Sequence, residues 1–167
     1  LDPSCLVGRI HALCLSGGSV FGLEAPSGVV SWLSARGRGL ALGPHAIPVV
    51  PSAILFDLMN EGDKEWGDQP PYRALGVEAC NAAANEFELG NTGAGFGATA
   101  GPLKGGLGSA SVITDDGIQV GVLAAANPLG SVIMPDSSAF WAWPFEQAGE
   151  LGGQVPPTAR DHDMNLD

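Results

Sequence analysis

Between Gly90 and Gly108 eight of nineteen residues are glycine, and no other stretch limits the fold as much. Glycine loses more conformational freedom on ordering than any other residue, so neither a helix interior nor a central strand tolerates such a run easily. The segment is instead a place where backbone must come close to something. That something is either another stretch of backbone, or a ligand or catalytic group toward which free peptide N–H groups can stabilise developing negative charge. The residues by themselves leave both readings open. Glycine and proline hold 25 and 13 of the 167 positions, with no collagen-like period, which argues against long uninterrupted helices. A chain of this length has room for one ordinary domain with a sizeable core.

The flanking sequence reads as mixed α/β. A strand-like run, Arg9 to Leu15, is followed by Gly17-Gly18 and then by Ser19 to Arg36, where the apolar spacing is partly helical and Ser19 can cap the start. Ile47 to Leu58 is rich in β-branched and large apolar residues but holds Pro48 and Pro51, which predicts an irregular entry and a buried strand over Ala53 to Leu58. Asn60 to Pro71 is a polar loop containing Trp66, and the alanine-rich stretch Tyr72 to Phe87 predicts a helix. Beyond the glycine stretch, Ser109 to Thr114 and Ile118 to Ala126 flank Asp115-Asp116-Gly117, a strong hairpin signal, and Ser131 to Met134 reads as a further short strand. From Gly149 to Asp167 the chain is polar, a tail beyond a body spanning residues 1–148.

Several function classes recede at this point. Seven basic against eighteen acidic residues give a formal charge of −11, which repels phosphate backbones and anionic lipid surfaces, so neither nucleic acid nor membrane is an expected partner. No window has the apolar length of a membrane span and no export signal is visible, so the expected location is the cytoplasm. Cys5, Cys14 and Cys80 show no CxxC spacing and are expected to be small buried hydrophobes, with neither a disulfide nor a metal site. Gly95-Phe96-Gly97-Ala98-Thr99-Ala100 matches a dinucleotide fingerprint in letters only, because a glycine-rich run and a hairpin follow it where a helix is required. Lys104, between Leu103 and Gly105, lacks the Gly-Lys-Ser/Thr of a phosphate loop. No cofactor is expected.

Hydrolytic motifs are incomplete. Gly-x-Ser-x-Gly and His-Glu-x-x-His are absent, and His11, His45 and His162 fall in a strand, a loop and the tail, so no Ser-His-Asp triad assembles. Glu24, inside an apolar helix, and Asp57, at a strand end, are candidate buried carboxylates, with structural pairing the expected role of Glu24. Asn127 stands where the apolar run Ala124-Ala125-Ala126 stops at Pro128. A side-chain amide held there can donate to an oxyanion, or it can simply cap a turn.

Four segments taken together resemble a known family. They are Leu15-Ser16-Gly17-Gly18-Ser19-Val20-Phe21-Gly22-Leu23-Glu24-Ala25, the run from Pro48 to Leu58, the run from Gly90 to Gly101, and Ala126-Asn127-Pro128-Leu129-Gly130. In this order they resemble the P1 (DmpA-like) family, the L-aminopeptidase/D-esterase group that also contains the β-peptidyl aminopeptidases and the nylon-oligomer hydrolases. The resemblance spans most of residues 1–130. It implies a four-layer α/β/β/α sandwich of the N-terminal-nucleophile type, shared with ornithine acetyltransferases. It also implies a precursor that cuts itself before a Ser or Thr, whose freed α-amino group then serves as the base for its own hydroxyl. An α-amine with a pKa near 8 can do this at neutral pH. The missing triad is thereby explained, since the nucleophile heads a separate β chain.

Residue by residue, the resemblance puts Asn127 on the family's oxyanion Asn and Phe56 where several members have a Tyr near the nucleophile. Lys104 follows the glycine run two positions later than the Lys of some members and is carried as a catalytic candidate. Gly93, Gly95 and Gly97 would wall the substrate site. Ile54 stands where aminopeptidase members place a Glu that anchors the substrate's free amine, and an apolar residue cannot pair an ammonium group. That departure favours an amidase that accepts internal bonds of a small peptide or linear amide over an exo-acting aminopeptidase. The implied partners are the β chain and further αβ units in a homo-oligomer, a tetramer by the resemblance. The family's opening strands are missing before Leu1-Asp2-Pro3, and both ends read as a piece of a processed protein. An acyltransferase of the same fold and a non-catalytic binding or scaffold domain are the alternatives.

Overall fold

The strand expected over Arg9 to Leu15 forms only at its end. In the computed structural model, which describes residues 7–156 together with Asp2 and Ser4, the strands in chain order are β1 (Cys14–Ser16), β2 (Leu40–Leu42), β3 (His45–Ile47), β4 (Ser52–Ile54), β5 (Thr99–Ala100), β6 (Leu103–Lys104), β7 (Gly106–Ile113) and β8 (Gln119–Ala126). The α-helices are α1 (Ala25–Ser34) and α2 (Tyr72–Ala82). The class is α/β, as the sequence predicts. Two units are separable: Leu1–Thr99 with Lys104–Asn127, and Ala100–Leu103 with Pro128–Asp167.

Local chemistry explains why β1 starts late. Upstream of it, the His11 N–H donates to the Val49 carbonyl (2.9 Å), while the Val49 N–H donates to His11 Nδ1 (3.0 Å). A ring nitrogen has taken the donor a ladder would use, and Pro48 and Pro51 have no N–H to offer. Parallel pairing of β1 with β4 therefore begins only at Cys14↔Ser52 and ends at Ser16↔Ile54. The buried strand expected over Ala53 to Leu58 is correspondingly short, and only Leu55 within it is buried.

Ser19 does not cap a helix. Gly18 is left-handed (φ 85°), and a 3-10 turn over Ser19–Glu24 precedes α1. Ser19 itself has φ 51°, and its buried hydroxyl has no hydrogen-bond partner among the described residues. Glu24 ends this turn exposed, so it is not the buried acid the apolar spacing suggests.

The two helices cross with their backbones in contact. A Cβ on Gly28 would lie 2.1 Å from the Arg73 carbonyl, and one on Gly76 2.2 Å from the Ala25 carbonyl. Trp32 Nε1 donates to Asn81 Oδ1 (2.7 Å) and Arg73 donates to the Ser27 and Ser31 hydroxyls across the same crossing. Beneath it lies the small core of Cys14, Ala25, Val29 and Leu33, packed by Trp32, Val50, Tyr72 and Cys80. Burial pushes the Cys14 and Cys80 thiols up, as expected of packed cysteines rather than nucleophiles, while Cys5 lies outside the described residues. Gly76→Ala forces the helices apart against fixed backbone and is expected to cost about 1–3 kcal/mol, read as a lower denaturant midpoint of the full-length protein.

The predicted hairpin is present and longer than its apolar run. β7 begins at Gly106, three residues inside the glycine stretch, and pairs antiparallel with β8 from Gly106↔Ala126 to Ile113↔Gln119. The Thr114 N–H donates to the Ile118 carbonyl (2.9 Å) and Gly117 takes φ 85°, closing the turn. Val112, Ile113, Val120, Val122 and Leu123 on this ribbon are all about half exposed or more. In the second unit the strand expected over Ser131 to Met134 is reduced to an isolated bridge, Ile133↔Phe140, and the Glu146 carboxylate accepts the Leu151 and Gly153 N–H groups. No helix among the described residues is long and apolar enough to cross a membrane.

Candidate active site

The glycine stretch answers both readings of it at once, at different residues. A Cβ on Gly95 would lie 2.5–2.6 Å from the backbone of Gly106, and one on Gly105 2.4 Å from the Ala126 carbonyl, so here backbone meets backbone. At Gly97 the neighbour is polar: its Cβ would lie 2.5 Å from Asn60 Nδ2 and 2.6 Å from Asp57 Oδ2. Asn91 staples the turn, its amide donating to the carbonyls of Gly95 (3.2 Å) and Phe96 (2.9 Å).

Asn127 and Lys104 come to one end of the hairpin. Because Gly106↔Ala126 is the last pair, the register carries Asn127 level with Gly105, beside which Lys104 leaves the turn. The Gly105 N–H donates to the Ala98 carbonyl (2.7 Å), which fixes this end to the glycine stretch. Asn127 is half-buried and its side chain has no hydrogen-bond partner among the described residues, whereas Lys104 is exposed. Ile54 and Phe56 are 39% and 59% exposed, on the opposite side of the chain from buried Leu55. The Leu55 N–H donates to the Ser16 carbonyl (2.9 Å), holding this edge to β1.

A cavity of about 600 Å³ opens beside Gly17, walled by Asp57, Lys64, Trp66, Tyr72 and Gly97. Gly93 and Gly97 reach it, whereas Ile54, Phe56, Gly95, Lys104 and Asn127 do not. Trp66 stands edge-on between Phe21 (5.7 Å between centroids) and Tyr72 (5.9 Å). Burial, and then the nearby Asp57 charge, push the Tyr72 hydroxyl up, so it is a donor at neutral pH. Lys64 Nζ is spent on the Asn60 and Gly62 carbonyls (2.7 and 2.8 Å) and on Asn60 Oδ1. Sequence reasoning missed Asn91, Asn60 and Tyr72. An amide flanked by glycines in Gly90-Asn91-Thr92-Gly93 was the available sign for the first. His11 is engaged with Val49, His45 is exposed on β3, and His162 lies outside the described residues.

The family model for peptidase family S58 matches residues 1–146. This chain belongs to peptidase family S58. Among its curated relatives, an uncharacterized aminopeptidase of Mycobacterium bovis is 41% identical over 157 residues, covering 94% of this chain and 44% of its own. One from Mycobacterium leprae is 38% identical over 164 residues, 93% of this chain and 44% of its own. The 6-aminohexanoate-oligomer endohydrolase of Paenarthrobacter ureafaciens is 32% identical over 130 residues, 74% of this chain and 35% of its own. The chain thus spans less than half the length of these relatives.

Proposed function

We propose that the protein is an autoprocessed N-terminal-nucleophile hydrolase of linear amide bonds, to which this chain contributes the α part. A β chain cut from the same precursor supplies a Ser or Thr at its own N-terminus. Its α-amine takes the hydroxyl proton, the oxygen attacks the amide carbon, the α-ammonium so formed returns the proton to the departing nitrogen as the C–N bond breaks, and water then releases the acyl group. The charge on the carbonyl oxygen is met by the Asn127 amide and by backbone N–H groups. Gly93, Gly95 and Gly97 wall the site, Lys104 stands beside the oxyanion donor, and Ile54 and Phe56 meet the acyl side of the substrate. The observation that carries this reading is that Asn127, its side chain unpaired among the described residues, meets the glycine turn at one end of the β7–β8 ribbon in a chain of family S58.

The exposed apolar residues of that ribbon support a four-layer α/β/β/α sandwich completed by the rest of the protein, with αβ units as the repeat of a homo-oligomer. Intact-mass measurement of the purified full-length protein is expected to show two polypeptides, the second beginning with Ser or Thr. A single uncut chain would overturn the reading.

Exo-cleavage remains a rival on a specific ground, since the relatives at 41% identity are named aminopeptidases. Against it, Ile54 offers no carboxylate for a substrate ammonium. A 6-aminohexanoate oligomer with its amino end acylated separates the two: internal cleavage of the blocked oligomer is expected, and cleavage of the free oligomer alone would favour the aminopeptidase.

A further inference from the structure

One carboxylate touches two glycine turns of the first unit, the one at Gly17-Gly18 and the one at Gly97. Asp57 Oδ1 accepts the Gly18 N–H at 2.7 Å. Its other oxygen, Oδ2, lies 2.2 Å from where a Cβ on Gly17 would sit and 2.6 Å from where one on Gly97 would sit. No donor among the described residues reaches Oδ2, so that oxygen serves there as a spacer between two backbones. A Cβ on Gly18 would lie 2.1 Å from the Tyr72 ring, so this turn has no room for a side chain there. Asn60 acts as the second jaw, donating from Nδ2 to the Gly97 carbonyl (3.2 Å) while Lys64 holds its own carbonyl.

We propose that Asp57 is a positioning residue of the active site. It locks the turn after β1 and the far end of the glycine wall in one mutual arrangement, so the Gly93–Gly97 wall stands where a bound amide requires it. This rests on the reading above that the wall belongs to the amide-cleaving site. The clamp is one of shape and of hydrogen-bond acceptance. An Asn at this position keeps both, since its Oδ1 still accepts from Gly18 and its volume is the same. An Ala keeps neither.

The test uses the full-length protein, with activity normalised to the processed fraction and measured on a linear 6-aminohexanoate oligomer. Asp57→Ala is expected to lower kcat by roughly ten- to a hundredfold with little change in KM, because displacing the groups around a reacting centre by about an ångström costs that much. Asp57→Asn is expected to restore most of the rate. Gly17→Ala, whose new methyl meets the carboxylate almost alone, is expected to lower kcat in the wild type and to add little in the Asp57→Ala background. Should Asp57→Ala fail to fold, the contrast between Gly17→Ala and Asp57→Asn decides. A lower melting temperature with unchanged kcat, or an Asn variant as slow as the Ala variant, overturns the proposal. Asn127→Ala is run alongside. If it too leaves kcat unchanged, the site assignment itself has failed; if it is slow while the Asp57 variants are not, only the clamp has.

Discussion

Replacing Asn127 by Ala is expected to cut turnover by on the order of a hundredfold or more, the usual cost of losing one oxyanion donor. The substitution is clean because of where the residue sits. Asn127 follows the last residue of β8, whose position is already fixed by the Gly106↔Ala126 pair, and its side chain holds no hydrogen bond among the described residues. Truncation therefore removes a donor without breaking a structural link, and the expected change in unfolding free energy is within about 0.5 kcal/mol. The measurement is kcat of the full-length protein, normalised to the fraction cut into two chains, because the same oxyanion donor would serve self-cleavage. A slow enzyme with a wild-type melting curve fits the assignment. Unchanged turnover would remove Asn127 from the mechanism.

How much of this was legible in the sequence depended on the range of the interactions. The hairpin was, because Asp-Gly between apolar runs is a local signal and its turn closes on itself through Thr114 and Ile118. Helix α2 was, from its alanine content, although it stops at Ala82 where the backbone turns extended at Ala83. The length of β1 and the place of Ser19 were not. Both depend on partners far along the chain: His11 meets Val49, and the Ser19 N–H donates to the Leu55 carbonyl at 3.0 Å. Asp57 shows the same limit at the candidate site. Its place at the end of an apolar run was readable, but its glycine neighbours, Gly17, Gly18 and Gly97, lie about forty residues to either side, and only the fold brings them together. The place of Asn127 directly after β8 was readable by pattern, because an apolar run that stops at Asn-Pro declares itself within five residues.

Gly95→Ala is expected to be the most damaging of the single-methyl changes in the glycine wall. The added Cβ would lie 2.5 Å from the carbonyl carbon of Gly106 and 2.6 Å from its Cα. Neither atom can rotate away. Gly106 begins the β7 ladder, and the adjoining Leu107 exchanges two backbone hydrogen bonds with Gly90, at 2.7 and 2.8 Å. On the other side, Asn91 holds the Gly95 carbonyl. Turn or strand must therefore shift bodily, which is expected to cost about 3 kcal/mol, at the upper end of overpacking effects. Gly93→Ala, two residues earlier, is the informative contrast. Its Cβ meets only the flexible end of Leu107, at 3.1 Å, and the penalty comes from φ +50°, about 1–2 kcal/mol for a left-handed residue. Denaturant midpoints of the two full-length variants are expected to fall in that order, with Gly95→Ala lower. The reverse order would mean that the wall is shaped by backbone conformation and not by contact with β7. Activity supplies the second readout, because a displaced Gly106 carries Ala126 with it through their pairing, and so moves the Asn127 donor; the folded fraction of Gly95→Ala is therefore expected to turn over more slowly than that of Gly93→Ala.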